Sequence, residues 1–234
     1  MSKHSSNATG GYISGSMFAV QEAYKTIRTN ILLSVIKDGC KKIVVTSAVS
    51  GEGKSTTTVN VAISLAQAFN KVLVIDCDLR KPRVHRALGV SSNPGLSNIL
   101  SGLSDIREAV RDTKYPNLWV LTAGLTAPNP AEMLASGRMS ALIEELEKGF
   151  DYIIFDTPPI NVVSDALPLI KLSDGVIMVV RSNYSIYKEI DKALSQLDFI
   201  GARLVGAIVN DDNSTDTNPG RYGYGKPSKD NSEQ

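Results

Sequence analysis

A short glycine-containing loop near the start of this chain of 234 residues constrains its fold more than any other feature. Residues 48–55 read Ala-Val-Ser-Gly-Glu-Gly-Lys-Ser, after an apolar segment at 43–45 and before a helix-like segment at 56–69. Glycines 51 and 53 permit unusual backbone angles, so backbone N–H groups can converge on phosphate oxygens. A strand, this loop and a helix in that order predict a phosphate-binding loop.

The side chains of the loop indicate a nucleotide and a metal ion as ligands. Lys54 is positioned to reach β- and γ-phosphates, and the Ser55 hydroxyl can bind Mg²⁺. Ala48 replaces the first glycine of the GxxxxGK[ST] pattern, which weakens the match only slightly. Asn210, at the end of the last apolar segment, either hydrogen-bonds the adenine edge or caps a turn. We expect ATP and Mg²⁺, with the loop residues that bind ATP being Ser50, Gly51, Glu52, Gly53, Lys54, Ser55 and Thr56.

Carboxylates follow two further apolar segments. Asp76 and Asp78 come after residues 72–75, and Asp156 comes after residues 152–155. Both segments are short and β-branched, as buried parallel strands are. The carboxyl ends of such strands line the binding crevice of an open α/β sheet, so these carboxylates should point at the nucleotide. The alternative is that they only cap the next helix, as aspartate often does.

The order of apolar and amphipathic segments predicts an α/β domain with the P-loop NTPase fold, whose mostly parallel sheet is covered by helices on both faces. Its expected extent is 17–210, between a flexible N-terminus at 1–16 and a tail at 211–234. The predicted strands are 43–48, 72–76, 118–122, 152–156, 175–180 and 203–209. The predicted helices are 17–36, 55–69, 104–111, 138–148, 162–172 and 186–199.

Charge, cysteine content and apolar segments indicate the cellular compartment and the kinds of binding partner to expect. The formal net charge of +1 gives no reason to expect nucleic acid as a partner. Cys40 and Cys77 lack metal-ligand spacing and are typical of reduced cytosolic thiols. Residues 1–16 carry no apolar core of a signal peptide, and no apolar run approaches the length of a membrane span. We therefore expect a cytoplasmic protein.

The final segment differs from the rest of the chain. Residues 211–234 contain no Leu, Ile, Val, Phe, Met or Ala, so they cannot bury enough apolar surface to offset the entropy of ordering. Their only large side chains are Tyr222 and Tyr224, which are spaced by glycines. A flexible tail of this kind could present tyrosines to an active site, or could serve only to increase solubility.

Taken together, these motifs resemble the bacterial protein-tyrosine kinases (BY-kinases), over nearly everything from residue 19 to residue 226. The resemblance is closest to the stand-alone cytoplasmic kinases of Gram-positive bacteria. It is carried by the loop at 48–55, Asp-Cys-Asp-Leu-Arg at 76–80 with Lys-Pro-Arg after it, Asn-Pro-Ala-Glu-Met-Leu at 129–134, Asp-Thr-Pro-Pro at 156–159, and the tail tyrosines.

The resemblance implies a set of partners and a biological role. Its members control capsular or exopolysaccharide synthesis and form ring-like homo-oligomers, in which one subunit phosphorylates the tail of its neighbour. A separate transmembrane activator would recruit the chain to the inner face of the membrane. A cognate phosphotyrosine phosphatase would reverse the reaction. The phosphoacceptors would be Tyr222 and Tyr224.

The chemistry of phosphoryl transfer assigns roles to the charged residues. The reaction needs positioning and charge neutralisation, which Lys54, the loop N–H groups and Mg²⁺ would supply. Ser55 and Asp156 are the expected metal ligands. A tyrosine acceptor has a pKa of about 10, so a base must take its proton, and Asp78 is our first choice. Asp76 would then help position the metal, although the roles of Asp76 and Asp78 could be reversed.

Two sets of basic residues each leave two interpretations open. Arg80 and Arg83 either stabilise developing phosphate charge or pair with acidic neighbours at an interface. Glu22, Lys25 and Arg28 occupy the positions of the family's oligomerisation motif Glu-x-x-Arg-x-x-Arg. Lysine at the second position keeps the charge but loses the planar fork of arginine. These three residues either support ring assembly or form an ordinary solvated ladder.

A function from another class uses the same loop. An ATPase switch like the chromosome-partitioning (ParA) and septum-positioning (MinD) ATPases would bind a membrane or a partner protein in its ATP form, without kinase activity. Those ATPases carry a second lysine just after the first small residue of the loop, and this chain has Val49 there. The missing lysine and the tyrosine tail favour the kinase.

Overall fold

The computed structural model describes residues 15–211. Most of the predicted N-terminal segment and the tail from residue 212 onward, with Tyr222 and Tyr224, lie outside the described residues. The division into a domain at 17–210 and two flexible ends therefore stays a prediction.

A seven-stranded sheet forms the centre of the fold, with the strand order β3-β4-β2-β5-β1-β6-β7. Every pair of neighbouring strands is parallel except β3 and β4. The strands are β1 (Lys41–Ser47), β2 (Val72–Asp76), β3 (Val110–Asp112), β4 (Leu118–Leu121), β5 (Tyr152–Asp156), β6 (Gly175–Arg181) and β7 (Leu204–Asn210). The predicted mostly parallel α/β sheet is confirmed.

Helices cover both faces of this sheet. They are α1 (Gly15–Ser34), α2 (Lys54–Ala66), α3 (Val84–Leu88), α4 (Leu96–Leu100), α5 (Ile106–Ala109), α6 (Pro130–Leu134), α7 (Gly137–Leu146), α8 (Leu167–Leu172) and α9 (Tyr187–Phe199), with a 3₁₀ turn at Ser164–Ala166 before α8. Two separate apolar clusters result. One packs α1, α2 and α3 on one face, and the other packs α4, α7, α8 and α9 on the opposite face.

The central strands supply side chains to both clusters by the two-residue period of a β-strand. In β1, Ile43 and Val45 join the cluster with α2, whereas Val44 joins the opposite one. In β5, Ile154 and Phe155 divide in the same way. Because both faces are covered, each of these strands is apolar at successive positions, as buried parallel strands are. The sheet is thereby fixed as a rigid platform for the loops at its carboxyl edge.

The structure corrects one predicted element and adds several short ones. The predicted helix at 104–111 is wrong at its end, because α5 stops at Ala109 and Val110 begins the antiparallel strand β3. Strand β3 forms because Val110 pairs with Leu121, and the local sequence carries no signal for that contact. The helices α3, α4 and α6 were not predicted, since about one turn is too short to display helical periodicity.

The carboxyl ends of β1, β2 and β5 are neighbours in the sheet. Val45 and Asp76 both lie in register with Asp156. The loop after β1 and the carboxylates after β2 and β5 therefore meet at one edge, as the sequence predicts.

Candidate functional site: a nucleotide-binding cleft

The loop between β1 and α2 has the backbone geometry of an anion cradle. Gly51 and Gly53 have φ values of +91° and +86°, in the left-handed region that favours glycine. Gly53 is the N-cap of α2, so Lys54 and Ser55 form its first turn. Glu52 is fully buried, and its Oε2 accepts a hydrogen bond from the Val49 N–H at 2.9 Å. This contact closes the loop on itself and directs the start of α2 toward the cleft.

The loop borders an open cleft at the carboxyl edge of the sheet. The cleft is lined by residues from the segments that follow β1, β2 and β5: Ser50, Gly51, Gly53, Lys54, Ser55, Thr56, Asp78, Lys81, Arg83 and Pro159. The predicted loop residues thus meet Asp78 in one cavity. Glu52, Asp76 and Asp156 lie behind the lining, each fully buried.

Lys54 and Asp78 form an ion pair in the cleft. Lys54 Nζ lies 2.9 Å from Asp78 Oδ2, and both side chains are largely buried. The other carboxylate oxygen of Asp78 accepts a hydrogen bond from the Lys81 N–H at 3.0 Å. Burial lowers the pKa of Lys54, but the charges of Asp156 and Asp78 outweigh it and raise that pKa above its ordinary value. Lys54 therefore carries its positive charge at neutral pH.

Asp156 has the features of a metal-site carboxylate. Its Oδ1 accepts a hydrogen bond from the Thr58 hydroxyl at 3.2 Å, whereas Oδ2 is buried and has no hydrogen-bond partner among residues 15–211. Burial raises the pKa of Asp156, against the opposing effect of the Lys54 charge. A buried oxygen without a partner is costly, and Mg²⁺ with its water ligands would satisfy it. The Ser55–Asp156 pair therefore fits Mg²⁺.

Asp76 holds the following loop rather than lining the cleft. Its Oδ2 accepts hydrogen bonds from the N–H groups of Arg83 and Val84 at 3.2 and 3.0 Å. Its Oδ1 accepts one from the Asp78 N–H at 3.3 Å. Burial and the nearby charge of Asp156 raise the pKa of Asp76 well above its ordinary value. These contacts are those of the capping alternative, and they position Asp78 at the mouth of the cleft.

No group of three or more His, Cys, Asp or Glu side chains within residues 15–211 is arranged to hold a metal ion. The three predicted carboxylates, Asp76, Asp78 and Asp156, do not form such a cluster by themselves. A magnesium site here would use the Ser55 hydroxyl and the phosphate oxygens of a nucleotide together with Asp156.

Arg80 pairs with an acidic neighbour, as one of its two interpretations holds, but the partner lies in the same chain and sequence reasoning did not identify it. The Arg80 guanidinium binds the buried Asp165 carboxylate through two contacts, Nε–Oδ2 at 2.7 Å and Nη2–Oδ1 at 3.1 Å. This pair connects the loop after β2 to the 3₁₀ turn after β5. No local signal links two residues so far apart in the chain. Arg83, by contrast, lines the cleft, and a role toward phosphate stays a prediction.

The remaining predicted residues lie apart from the cleft. Asn210 lies behind the loop, where its Nδ2 donates to the Glu52 carbonyl at 3.0 Å. On α1, Glu22 and Lys25 form an exposed ion pair at 2.6 Å. Arg28 Nη1 donates to the Ser64 carbonyl at 2.9 Å and so ties α1 to α2 within the chain. A role of α1 in oligomers stays a prediction.

Comparison with known proteins identifies the class to which this fold and cleft belong. The AAA domain family model matches residues 40–206. The chain is 43% identical to the tyrosine-protein kinase YwqD of Bacillus subtilis over 81% of this chain and 80% of the relative. It superposes on the kinase domain of the Escherichia coli tyrosine kinase ETK with a TM-score of 0.78 and 31% identity, covering 88% of this chain and 80% of that one. The chain belongs to the bacterial tyrosine-protein kinases.

A more distant likeness concerns the fold alone. The septum site-determining protein MinD of Pyrococcus horikoshii, solved with Mg-ADP, superposes with a TM-score of 0.65 and 24% identity, over 76% of this chain and 72% of that one. The kinase relatives are clearly the nearer, as the absence of the second loop lysine predicts. No helix within residues 15–211 has the length and hydrophobicity needed to cross a bilayer.

Proposed function

We propose that this protein-tyrosine kinase transfers the γ-phosphoryl group of ATP to the tail tyrosines, Tyr222 and Tyr224, of a neighbouring subunit. One observation carries the proposal. The Lys54–Asp78 pair, at 2.9 Å, puts a phosphate-binding cation and a carboxylate base side by side at the mouth of the phosphate loop. An ATPase switch could use the same carboxylate to orient water, so the tail tyrosines are what favours transfer to protein.

Each charged residue then has one task. Lys54 and the loop N–H groups neutralise charge on the phosphates as the bond from the γ-phosphorus to its leaving oxygen breaks. The tyrosine oxygen forms the new bond to phosphorus, and Asp78 takes the phenolic proton. Asp78 Oδ2 is paired with Lys54 in this structure, so phosphates that attract Lys54 would release this oxygen for the proton.

Magnesium would be held by Ser55 and Asp156, and when bound it would neutralise phosphate charge. The unpartnered Oδ2 of Asp156 supports this assignment. Asp76 holds the loop that carries Asp78, and the Arg80–Asp165 pair holds the same loop from its other side. We therefore assign the base to Asp78, and a positioning role to Asp76.

The resemblance to BY-kinases supports a role in capsular or exopolysaccharide synthesis. In that role a transmembrane activator would bring the chain to the inner face of the membrane, and a phosphotyrosine phosphatase would reset it. Glu22, Lys25 and Arg28 would contribute to a ring of subunits. Phosphates on both tail tyrosines would add roughly three to four negative charges in all. Such charges beside Asp78 and Asp156 would repel the tail and dissociate the ring.

A mixing experiment tests transfer between subunits. One chain carries Lys54→Met with an intact tail, and the other carries Tyr222→Phe and Tyr224→Phe with an intact cleft. With ATP and Mg²⁺, and with or without a candidate activator peptide, phosphate should appear on the Lys54→Met chain by mass spectrometry. Neither chain alone should become labelled on its tail. If the wild-type protein is labelled but the mixture is not, transfer occurs within one subunit.

Light scattering tests the assembly switch separately. The unphosphorylated protein should be oligomeric, and the phosphorylated protein monomeric. The double phenylalanine variant should keep its mass when ATP is added, which makes it the control. Equal mass before and after phosphorylation would contradict the switch but leave the kinase assignment standing. Hydrolysis of ATP with no phosphotyrosine under any condition would favour the ATPase switch instead.

A further inference from the structure

Three consecutive carbonyl groups of the phosphate loop accept hydrogen bonds from side chains at the carboxyl ends of the neighbouring strands β6 and β7. The Tyr184 hydroxyl donates to the Ser50 carbonyl at 3.0 Å. The Arg181 Nη1 donates to the Gly51 carbonyl at 3.4 Å. The Asn210 Nδ2 donates to the Glu52 carbonyl at 3.0 Å. Arg181 and Tyr184 come from the end of β6 and the turn before α9, and Asn210 ends β7.

Because the peptide group is planar, these contacts also set the direction of the N–H groups that follow each carbonyl. In a trans peptide the carbonyl oxygen and the following N–H point in opposite directions. Donors that hold the carbonyls of residues 50–52 on the outer side of the loop therefore turn the N–H groups of residues 51–53 toward its inner side. Convergent N–H groups are what binds a phosphate at the start of a helix.

The donors are also held in place by one another. The Arg181 guanidinium carbon lies 5.3 Å from the centre of the Tyr184 ring, a cation–π contact. The backbone N–H of Arg181 donates to the Ser185 hydroxyl at 2.8 Å, and that hydroxyl hydrogen-bonds the buried Glu52 carboxylate. The turn before α9 and the phosphate loop thus form one connected network.

Glycine at positions 51 and 53 allows the Tyr184 and Asn210 side chains to lie close to the loop backbone. A Cβ atom at Gly51 would lie 3.0 Å from the Tyr184 hydroxyl oxygen, and one at Gly53 would lie 2.0 Å from Asn210 Nδ2. The two glycines therefore do more than adopt positive φ values. They leave room for the donors on the outer side of the loop.

We propose that Tyr184, Arg181 and Asn210 are positioning residues that pre-organise the phosphate cradle from outside. They act through the loop backbone and touch no phosphate. The inference rests on the proposed binding of ATP, and it assigns Asn210 a role other than hydrogen bonding to adenine. It deepens the proposed function because it makes affinity for the phosphates depend on a segment remote from the sequence motifs.

Binding of two probes to the full chain tests this role. Isothermal titration would measure Mg-ATP, and inorganic triphosphate with Mg²⁺, which has no adenine. Tyr184→Phe removes only the hydroxyl, and Asn210→Asp replaces the donor by an acceptor that faces a carbonyl. Each should weaken both probes by the same factor, about 3- to 10-fold for Tyr184→Phe, and more for Asn210→Asp. Tyr187→Phe is the matched control, since Tyr187 is 82% exposed and makes none of these contacts.

The two probes separate the possible failures. Loss of ATP affinity without loss of triphosphate affinity would mean that the altered residue contacts the nucleoside, which would overturn the inference. Unchanged affinity for both probes in both variants would also overturn it. If the wild-type chain binds neither probe, the proposed function itself fails. Circular dichroism and thermal unfolding would confirm that each variant is folded before titration.

Discussion

The two edges of the central sheet use charge in opposite ways. At the carboxyl edge, the Lys54–Asp78 pair has side chains only 10% and 6% exposed, and Asp76 and Asp156 are fully buried beside it. At the amino edge, Lys37 pairs with Asp174 at 2.9 Å, with side chains 39% and 20% exposed. The pair in the cleft is thus kept away from water, whereas the Lys37–Asp174 pair stays partly hydrated.

This difference in burial indicates that the charges in the cleft serve function rather than stability. Burying charged groups is costly even when they are paired, and replacing a buried pair by apolar groups often stabilises a protein. Buried charges that cluster in a cleft are typical of functional sites. Hydrated pairs contribute little in either direction. Substitutions at the carboxyl edge should therefore alter activity far more than those at the amino edge.

Lys54→Met should have the largest effect on activity. The cleft loses its phosphate-binding cation, so phosphotransfer should fall by about 100-fold or more, to the limit of detection. The fold should persist, because the charge of Lys54 serves the cleft and not the apolar core. Phosphotyrosine blotting and thermal unfolding would check both statements. Lys37→Met, the same substitution at the opposite edge, is the control, and wild-type phosphotyrosine in Lys54→Met would refute the assignment.

Substitution of Asp156 and of Asp78 should impair different steps, namely ATP binding and phosphoryl transfer. Asp156→Asn should weaken Mg²⁺-dependent ATP binding by about 10-fold or more, because it removes charge from a metal ligand. Asp78→Asn should largely spare binding and lower transfer by about 10²- to 10⁴-fold, because an amide cannot accept the proton. Titration with Mg-ATP and single-turnover assays would compare the variants. An equal loss of affinity in both would make Asp78 a metal-site residue.

Asp156→Asn should also stabilise the protein when it is measured without nucleotide or Mg²⁺. Burial raises the pKa of Asp156, so its contribution to stability is greatest below the ordinary aspartate pKa and is lost as pH rises through the folded-state value. Ionisation of the buried Asp156 carboxyl therefore costs stability as pH rises, and neutral asparagine, which avoids that cost, should raise the melting temperature at pH 7 by roughly 2–4 °C per kcal/mol relieved. The gain should vanish in acid. A melting temperature at pH 7 equal to or below that of the wild type would contradict this reading of the buried edge.

The sequence predicted the framework of the carboxyl edge but not its supports. The loop at 48–55 and the strand-end carboxylates carry local signals, so their meeting at one edge could be predicted. Asp76 could not be separated from Asp78, because backbone N–H groups satisfy Asp76 only once the loop after β2 has folded. The Arg80–Asp165 pair joins segments that only the sheet brings together.

Elements that carry their own apolar pattern could be predicted from the sequence, and elements that depend on tertiary contacts could not. Strands buried on both faces, such as Ile43–Val44–Val45 in β1, are continuous apolar runs and stand out in the sequence. The three-residue strand β3 depends wholly on its neighbour β4. The donors from Arg181, Tyr184 and Asn210 to the phosphate loop likewise depend on tertiary contacts, and no sequence pattern indicates them.

Lys37→Met should have the smallest effect, and it is the sharpest test of the contrast between the edges. Lys37 Nζ binds both carboxylate oxygens of Asp174, at 2.9 and 3.1 Å, and Asp174 keeps a hydrogen bond from the Lys42 N–H without it. Loss of one partner from a hydrated pair should change the free energy of unfolding by about 0–1 kcal/mol. Kinase activity should stay at the wild-type level. Denaturant unfolding at low and high salt would measure the change, which should shrink as salt screens the pair. A loss of phosphotransfer approaching that of Lys54→Met would show that charge at the amino edge also serves the chemistry.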